Sequence, residues 1–159
     1  MSVTFQPIGK IVIENEHYYI ELDEKYYVAT LGITEYSHIQ VIWWFHLYDS
    51  EEARNYFVVK KPYKNGPDEV GVLSTRSPIR PNPIAVTACS LLSLDQEKHR
   101  LEVDYIDAED GTPVLDLKPY QPSIDKVRDV IMPEWSRHWP DCLEANDGFD
   151  WNSEFNFPE

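Results

Sequence analysis

The chain has 159 residues, a formal net charge of −14 and 42% hydrophobic residues, a length that fits one domain with a core of its own. The acidic balance argues against nonspecific binding to a polyanion such as DNA, because phosphate neutralisation needs lysine and arginine. No apolar run approaches the roughly 20 residues that span a bilayer, so we expect a soluble, cytoplasmic protein without a membrane partner.

The N-terminal third of the chain carries short runs of β-branched and aromatic residues, separated by turns that contain charged residues or asparagine. Such runs are typical of strands. The pattern predicts strands over residues 5–13, 17–22, 26–31 and 38–48. The run 38–48 is nearly all apolar in its middle, so we expect it to be a central strand covered on both faces.

The middle of the chain continues the same pattern. Residues 49–54 begin with capping residues followed by acids, which predicts at most one helical turn. Extended segments are predicted over residues 56–60, 69–74, 84–94, 101–106 and 114–117. About eight strands at short spacing indicate an all-β fold, a small and mostly antiparallel β-barrel that is closed or nearly closed. Only short helical turns are expected beside it.

The C-terminal segment differs from the rest in composition. It is acidic and irregular, and it contains the large apolar side chains Trp135, Trp139, Trp151, Phe155 and Phe157. These are too many to leave in water. We therefore predict a barrel domain over residues 1–130 and an extension over 131–159 that packs on the barrel or on the mate of a dimer.

Charge is distributed unevenly along the chain. Residues 54–80 hold six lysines and arginines against Asp68 and Glu69, whereas residues 141–159 contain no base. One interpretation is a basic face on an acidic body, and the other is a solvated surface in both places.

A stiff loop at residues 75–84 contains two arginines and three prolines. Each proline fixes φ and restricts the residue before it to extended geometry. Arg76 and Arg80 then present planar guanidinium groups suited to carboxylates or phosphates, with little entropy left to lose on binding. The alternative is a proline-rich surface turn with two solvated arginines.

Three ordered motifs resemble those of one known family. The segment GVLSTRSPIRPNPI at 71–84 resembles the signature of the TsaA-like (TrmO) proteins, which are S-adenosylmethionine-dependent methyltransferases acting on tRNA. The segment DAEDGTPVLDLKPY at 107–120 is similar to a second family element, and SHIQVIWWFH at 37–46 resembles a third. The resemblance covers about residues 5–125, and the chain is identified on these motifs as a member of the family.

The resemblance implies a small β-barrel, a homodimer, S-adenosyl-L-methionine as cofactor and tRNA as partner. The implied reaction is methylation of N6 of threonylcarbamoyl adenosine beside the anticodon. The acidic C-terminal surface and a short first turn depart from the family pattern. Two alternatives therefore stay open: the same cofactor with a small-molecule or protein acceptor, and a non-enzymatic module that binds a nucleotide-like ligand.

The cofactor has groups that carboxylates, a guanidinium and backbone amides can recognise. Asp107 and Asp110 suit the ribose hydroxyls or the ammonium group, and Arg76 suits the carboxylate. Gly111 permits close backbone approach, and the amides of residues 109–112 can contact adenine or ribose; the alternative is an ordinary Asp-Gly turn. With the strand end that the resemblance adds, the predicted cofactor-binding residues are His46, Leu47, Arg76, Asp107, Ala108, Glu109, Asp110, Gly111 and Thr112.

His46 has a structural alternative, because a histidine at the end of an apolar strand is commonly a core or rim residue. Leu47 also stands where the family has glutamine. The predicted substrate-binding residues are Arg80, Asn82 and Lys118.

Methyl transfer to a neutral amine depends mainly on placement of the reactants, so we assign no general base. Asp116 and Tyr120 are candidates to accept or orient an amine proton. A structural role in salt bridging on the strand is the alternative for Asp116, Tyr120 and Lys118, because they alternate with Leu115 and Leu117.

The two cysteines, Cys89 and Cys142, lack the spacing of a metal site. No metal is predicted, and a reduced compartment in which the thiols stay unpaired is expected.

Overall fold

The computed structural model describes residues 3–156, and these form two compact units. The first unit comprises residues 3–50 and 82–126, and the second comprises residues 51–81 and 127–156. The predicted division at residue 130 stays a prediction, as does packing against a dimer mate. Phe157, which the sequence placed in the aromatic tail, lies outside the described residues.

Strands dominate the described part of the chain. They are β1 (Gly9–Glu14), β2 (His17–Leu22), β3 (His38–Trp44), β4 (Val58–Lys60), β5 (Glu69–Gly71), β6 (Ile84–Asp95), β7 (Arg100–Val103) and β8 (Pro113–Pro119). The first unit is a closed barrel in the order β1-β2-β7-β6-β3-β8, and β4 and β5 form a separate two-stranded sheet in the second unit. All pairs are antiparallel, so the predicted all-β barrel is confirmed.

Helical segments are short throughout the described residues. The α-helices are α1 (Glu24–Tyr27), α2 (Glu51–Arg54) and α3 (Pro122–Asp125). The 3₁₀ helices are Val28–Thr30, Ile33–Glu35, His46–Tyr48, Val72–Ser74, Glu134–Ser136, Leu143–Asn146 and Trp151–Ser153. The single helical turn predicted within 49–54 is confirmed by α2.

The strand predicted over residues 26–31 is wrong, because α1 and the turn Val28–Thr30 occupy this segment. The Tyr26 amide donates to the Asp23 carbonyl at 2.8 Å, and the Thr30 hydroxyl donates to the Tyr27 carbonyl at 2.8 Å. These local hydrogen bonds outweigh the strand propensity of the aromatic and β-branched residues, which is only a weak preference.

β3 shows alternating burial rather than burial on both faces. Ile39, Val41 and Trp43 point into the core with 0%, 0% and 3% exposure, and the residues between them are partly exposed. The strand is flanked by β6 and β8, but it ends at Trp44, four residues before the predicted end. It ends there because Phe45 leaves the extended region with φ −71° and ψ 65°.

A β-bulge interrupts β8 where it pairs with β3. Ile42 is paired with Asp116, but the next residue, Trp43, is paired with Val114, so Leu115 is the extra residue. Strict alternation would place Val114 and Leu117 on opposite faces. The bulge allows both to pack on the barrel core.

The second unit has an aromatic core of its own. Tyr63 stacks on Trp135 with ring centroids 4.6 Å apart, and Trp139 packs edge-on against Trp135 at 5.4 Å and against Trp151 at 5.3 Å. Tyr63 also forms an isolated antiparallel bridge with Phe155. The C-terminal aromatic residues therefore pack within this unit, on the segment that precedes the arginine loop.

Candidate functional site

The turn at residues 107–112 is tied to β1 by hydrogen bonds. The Gly111 amide donates to the Ile11 carbonyl at 2.9 Å, and the Ile11 amide donates to the Thr112 carbonyl at 2.8 Å. The Asp110 carboxylate Oδ1 accepts from the Ile13 amide at 2.9 Å. Asp110 therefore holds the turn in place, a role that the sequence did not indicate.

These contacts decide which groups of the turn can meet a ligand. The amides of Ala108, Gly111 and Thr112 already donate within the barrel, to carbonyls of Ile106, Ile11 and Glu109. Among the contacts described for the first unit, the amides of Glu109 and Asp110 have no acceptor. The predicted set of ligand-binding amides, 109–112, is thus reduced to two.

The geometry at Gly111 fits close approach of a ligand. Its φ is +78°, a conformation that residues with a side chain rarely adopt. A Cβ built at this position meets no atom within 4 Å, so the space beside the turn is open. Together with the exposed Asp107 carboxylate, the turn offers the donors and acceptors that a ribose and an ammonium group require.

Asp107 has an aromatic neighbour on the segment that leads into the turn. The Tyr105 hydroxyl donates to Asp107 Oδ1 at 3.5 Å. Burial and the negative charge of Asp107 raise the pKa of Tyr105, so the phenol stays protonated and can donate.

The end of β3 lies beside the start of β6 and of β8. Trp43 is paired with Ala85 on one side and Val114 on the other. The Phe45 amide donates to the Pro83 carbonyl at 2.8 Å. The predicted site residues His46, Leu47 and Asn82 therefore lie at the same end of this three-stranded section as the turn 107–112.

The other candidates lie further along β8. Asp116 and Lys118 form an exposed ion pair at 2.7 Å, and the hydrogen bond from Lys118 to Asp116 raises the pKa of the lysine. The Tyr120 amide donates to the His38 carbonyl at the start of β3. Tyr120 is six positions beyond Val114, about 20 Å along an extended chain. The candidates of β8 are thus separated from the turn within one barrel.

The arginine loop belongs to the second unit up to Pro81 and is built from side-chain turns. The Thr75 hydroxyl donates to the Val72 carbonyl at 2.8 Å and accepts from the Ser77 amide at 3.1 Å. The Arg80 guanidinium donates to the Thr75 carbonyl at 3.2 Å, which ties this side chain to its own loop. Arg76 is exposed. These hydrogen bonds, in addition to the three prolines, restrict the conformation of the loop.

The predicted basic face is partly engaged within the second unit. Lys61 pairs with Asp68 at 3.4 Å and donates to the Gly66 carbonyl at 2.8 Å. Lys64 donates to the Asn152 carbonyl of the extension at 2.7 Å. Arg54 donates to the Pro81 carbonyl at 3.5 Å, and Arg80 is tied to its loop as described above. At least four of the six bases therefore already make contacts within this unit.

Two shallow grooves occur in the first unit. One, of about 350 Å³, is lined by Pro7, Gly9, Lys10, Glu21, Leu22, Asp23, Gly111 and Pro113. The larger, of about 520 Å³, is walled by residues 26–36 and the β8 residues Asp116, Leu117 and Pro119. Because the smaller groove includes Gly111 and the larger one includes no residue of the turn, the smaller one is the groove that adjoins the predicted cofactor site.

Sequence reasoning missed a network behind the turn. Ser90 on β6 donates its hydroxyl to Asp104 Oδ2 at 2.7 Å, and His38 Nε2 lies 3.4 Å from the same hydroxyl. The Ser-His pair at 37–38 was the available signal, but its partners are more than 50 residues away. Among residues 3–156, no cluster of three or more histidine, cysteine or carboxylate side chains is arranged to hold a metal. Over the same residues, no helix is long and apolar enough to cross a membrane.

The chain resembles known proteins over most of its length. The family model of the tRNA-methyltransferase O N-terminal domain matches residues 4–126. A probable S-adenosyl-L-methionine-binding protein of Pyrococcus horikoshii is 38% identical over 120 residues, covering 75% of this chain and 83% of that protein. An S-adenosyl-L-methionine-binding protein of Archaeoglobus fulgidus is 37% identical, and the match covers 70% of this chain and 74% of that protein.

Two further similarities concern larger proteins. The human tRNA (adenine(37)-N6)-methyltransferase is 32% identical over 75% of this chain, but the match covers 27% of the human protein. The crystal structure of TrmO from Pseudomonas aeruginosa has a TM-score of 0.62 at 28% identity, over 82% of this chain and 62% of that chain. The present chain therefore spans less than two thirds of either protein.

Proposed function

Because the chain belongs to the family of tRNA-methyltransferase O N-terminal domains, we propose that it is an S-adenosyl-L-methionine-dependent methyltransferase. We propose that its acceptor is N6 of threonylcarbamoyl adenosine beside the tRNA anticodon. The observation that carries this proposal is the family match over residues 4–126, which includes the turn 107–112 and the arginine loop.

The turn and the strand end beside it form the proposed cofactor site of the first unit. Asp107 would bind the ribose hydroxyls or the ammonium group, and the Glu109 and Asp110 amides would bind adenine or ribose atoms. His46 and Leu47 lie at the same end of the barrel section and line this site in the proposal. On the sequence motifs, Arg76 is proposed to bind the cofactor carboxylate, and Arg80, Asn82 and Lys118 are proposed to bind the acceptor.

The cofactor supplies an activated methyl group on a sulfonium. The contribution of the protein is placement, because holding two reactants in line can supply about 7–11 kcal/mol in well-oriented systems. Because the acceptor N6 carries a carbonyl substituent, its proton would have to be removed as the N–CH3 bond forms and the sulfonium–methyl bond breaks, which releases the neutral thioether. Asp116 and Tyr120 are the proposed residues for orienting that proton. Asp116 lies on β8 and Tyr120 directly after it, away from the turn 107–112, so this role requires the acceptor to be bound next to them.

Two further properties belong to the proposal. We expect a homodimer, which the resemblance implies, and a cytoplasmic location, where a tRNA acceptor is found.

Cofactor binding is tested by thermal unfolding with and without S-adenosyl-L-methionine. Saturation at about 100 times the dissociation constant should add about 2.7 kcal/mol to the free energy of unfolding. Arg76→Ala and Asp107→Ala should abolish the shift. Arg128→Ala, which removes an exposed arginine of the same unit outside the loop, is the matched control. A wild-type protein that shows no shift would contradict cofactor use.

The acceptor is tested by transfer of a labelled methyl group into RNA, protein and small-molecule fractions of a strain that lacks the gene. Label in tRNA, located at the modified adenosine by nucleoside mass spectrometry, is the expected result. Label in no fraction would favour the non-enzymatic alternative, which also agrees with the archaeal relatives being named for binding alone.

The net charge of −14 favours a second candidate, the same cofactor with a small-molecule or protein acceptor. The dependence of acceptor affinity on ionic strength distinguishes the tRNA acceptor from the small-molecule acceptor. Affinity for tRNA should fall steeply with salt because counterions are released on binding, whereas a small neutral acceptor should show almost no salt dependence.

A further inference from the structure

Asp104 lies immediately after β7 and uses both carboxylate oxygens within the barrel. Oδ1 accepts from the amides of Ser90 and Tyr105, each at 2.8 Å, and Oδ2 accepts from the Ser90 hydroxyl at 2.7 Å. Hydrogen bonds to a carboxylate are stronger than those between neutral groups. The carboxylate therefore fastens β6 to the segment that runs on toward the turn 107–112.

The paired strands change direction at this point. In the β6–β7 pair, Leu91 faces Val103 but Ser93 faces Glu102, so Leu92 is an extra residue on β6. Such bulges bend a strand and re-aim the residues around them. The Asp104 contacts lie directly beside the bulge, so the exit direction of the chain from β7 is fixed by both.

His38 supports Ser90 from the neighbouring strand. Because the Ser90 hydroxyl donates its hydrogen to Asp104, it can only accept from His38 Nε2, which lies 3.4 Å away. The Ser37 hydroxyl lies 2.9 Å from the other ring nitrogen, Nδ1. Both ring nitrogens are thus engaged, which fixes the orientation of the imidazole.

The network reaches the proposed cofactor site through two residues. Asp104 holds the Tyr105 amide, and the Tyr105 hydroxyl donates to Asp107 Oδ1. Tyr105 also packs edge-on against Tyr18, with ring centroids 5.3 Å apart. Movement of Asp104 would therefore move the hydroxyl that orients the Asp107 carboxylate.

We propose that Ser90 and Asp104, supported by His38, are positioning residues that hold Tyr105 and Asp107 for the hydroxyl or ammonium end of the cofactor. This inference rests on the proposed function, since it assigns the Asp107 carboxylate to S-adenosyl-L-methionine. None of the three positioning residues touches the cofactor in this arrangement.

Ser90→Ala is the sharpest test, because the backbone contacts between Ser90 and Asp104 remain and only the hydroxyl is lost. The chain also offers a matched control. Ser93 lies on the same strand, and its hydroxyl donates to the Glu102 carboxylate at 2.9 Å, away from the turn. Ser93→Ala thus removes an equivalent serine–carboxylate hydrogen bond.

Isothermal titration with S-adenosyl-L-methionine should show affinity about tenfold weaker for Ser90→Ala than for wild type or Ser93→Ala, because a less ordered Tyr105–Asp107 pair must be ordered on binding. Ser90→Thr, which keeps a hydroxyl, should restore it. In turnover assays the KM for the cofactor should rise while the KM for tRNA is unchanged. A purely structural role would lower the melting temperature of both alanine variants and leave the cofactor affinity equal.

The outcomes separate the inference from the proposed function. If wild type binds the cofactor and Ser90→Ala binds it as tightly as Ser93→Ala does, the positioning role is overturned and the proposed function stands. If wild type itself does not bind, the proposed function fails and the inference fails with it. Should Ser90→Ala not fold, His38→Gln, which removes the imidazole contacts to Ser90 at 3.4 Å and to Ser37 at 2.9 Å, is titrated in its place; unchanged affinity there also overturns the role.

Discussion

His138 Nε2 lies 2.8 Å from Glu154 Oε1 at the edge of the aromatic core of the second unit. The other carboxylate oxygen of Glu154 accepts from the Trp139 indole at 2.9 Å, and the residue is only 5% exposed. One carboxylate therefore joins two aromatic residues of the extension.

Acid should loosen the second unit through Glu154. The hydrogen bonds from His138 and Trp139 hold the pKa of this carboxyl below its usual 4.5. A lowered folded-state pKa means that the carboxylate stabilises the fold above about pH 4.5, and that this contribution is lost as the pH falls through the lowered value. Tryptophan fluorescence and near-UV circular dichroism, followed from pH 7 downward, should report the change.

The Glu154→Gln variant should melt at a lower temperature than wild type at pH 7, and the difference in melting temperature should shrink in acid. The control Glu134→Gln, which removes an exposed pair with Arg137, should change the melting temperature little.

Replacement of Gly111 should strain the turn without a steric clash. Its φ of +78° disfavours any residue with a Cβ, although the space around it is open. Gly111→Ala should lower the free energy of unfolding by about 1–2 kcal/mol. Gly71→Ala is the control, since Gly71 has φ −61° and likewise has nothing within 4 Å of an added Cβ. Equal stability of the two variants in urea denaturation would contradict the conformational explanation.

Two substitutions of Asp110 should separate its effect on the stability of the barrel from the effect of its charge on cofactor affinity. Asp110→Asn keeps an oxygen that accepts from the Ile13 amide, whereas Asp110→Ala loses it and should destabilise the barrel by about 1 kcal/mol. Titration with S-adenosyl-L-methionine then tests the charge. If the carboxylate contacts the cofactor, Asp110→Asn should lose affinity at unchanged stability. If Asp110 only holds the turn, Asp110→Asn should bind as wild type does.

The two thiols should differ in reactivity. Burial, together with the negative charge of Asp104, raises the pKa of Cys89 to about 12, and the residue is fully buried in the barrel core. Cys142 is exposed. Alkylation at pH 8 should modify Cys142 alone in the folded protein and both cysteines in urea, as judged by peptide mass spectrometry. A Cys142→Ser variant that is alkylated without denaturant would show that the barrel opens.

Local patterns predicted much of the barrel. The run of aromatic and β-branched residues at 17–22, bounded by turns, predicted the limits of β2, and the run from His38 predicted the start of β3. Failures occurred where hydrogen bonds between nearby residues compete with propensity, as in 26–31, or where one residue leaves the extended region, as Phe45 does at the end of β3. Neither leaves a clear mark in composition.

Long-range side-chain contacts at the candidate site were not predictable in the same way. The motif 107–112 pointed to the turn, but nothing in it indicates that Asp110 binds the Ile13 amide, 97 positions away. The contact of Ser90 with Asp104 depends on the register of β6 and β7, which sequence alone leaves open. The contacts between the C-terminal extension and Tyr63 are likewise long-range, and sequence alone does not indicate them.

The second unit is assembled from an insert between β3 and β6 and from residues after β8. On the ribosome, residues 51–81 emerge well before Trp135, Trp139 and Phe155, the side chains whose rings contact Tyr63. The Tyr63 ring of the nascent insert therefore lacks these partners and stays solvated until all six barrel strands have been translated. The aromatic core of this half can consequently be completed only after the barrel strands have been translated, and we expect a ribosome stalled before residue 135 to expose that ring to chaperones and proteases.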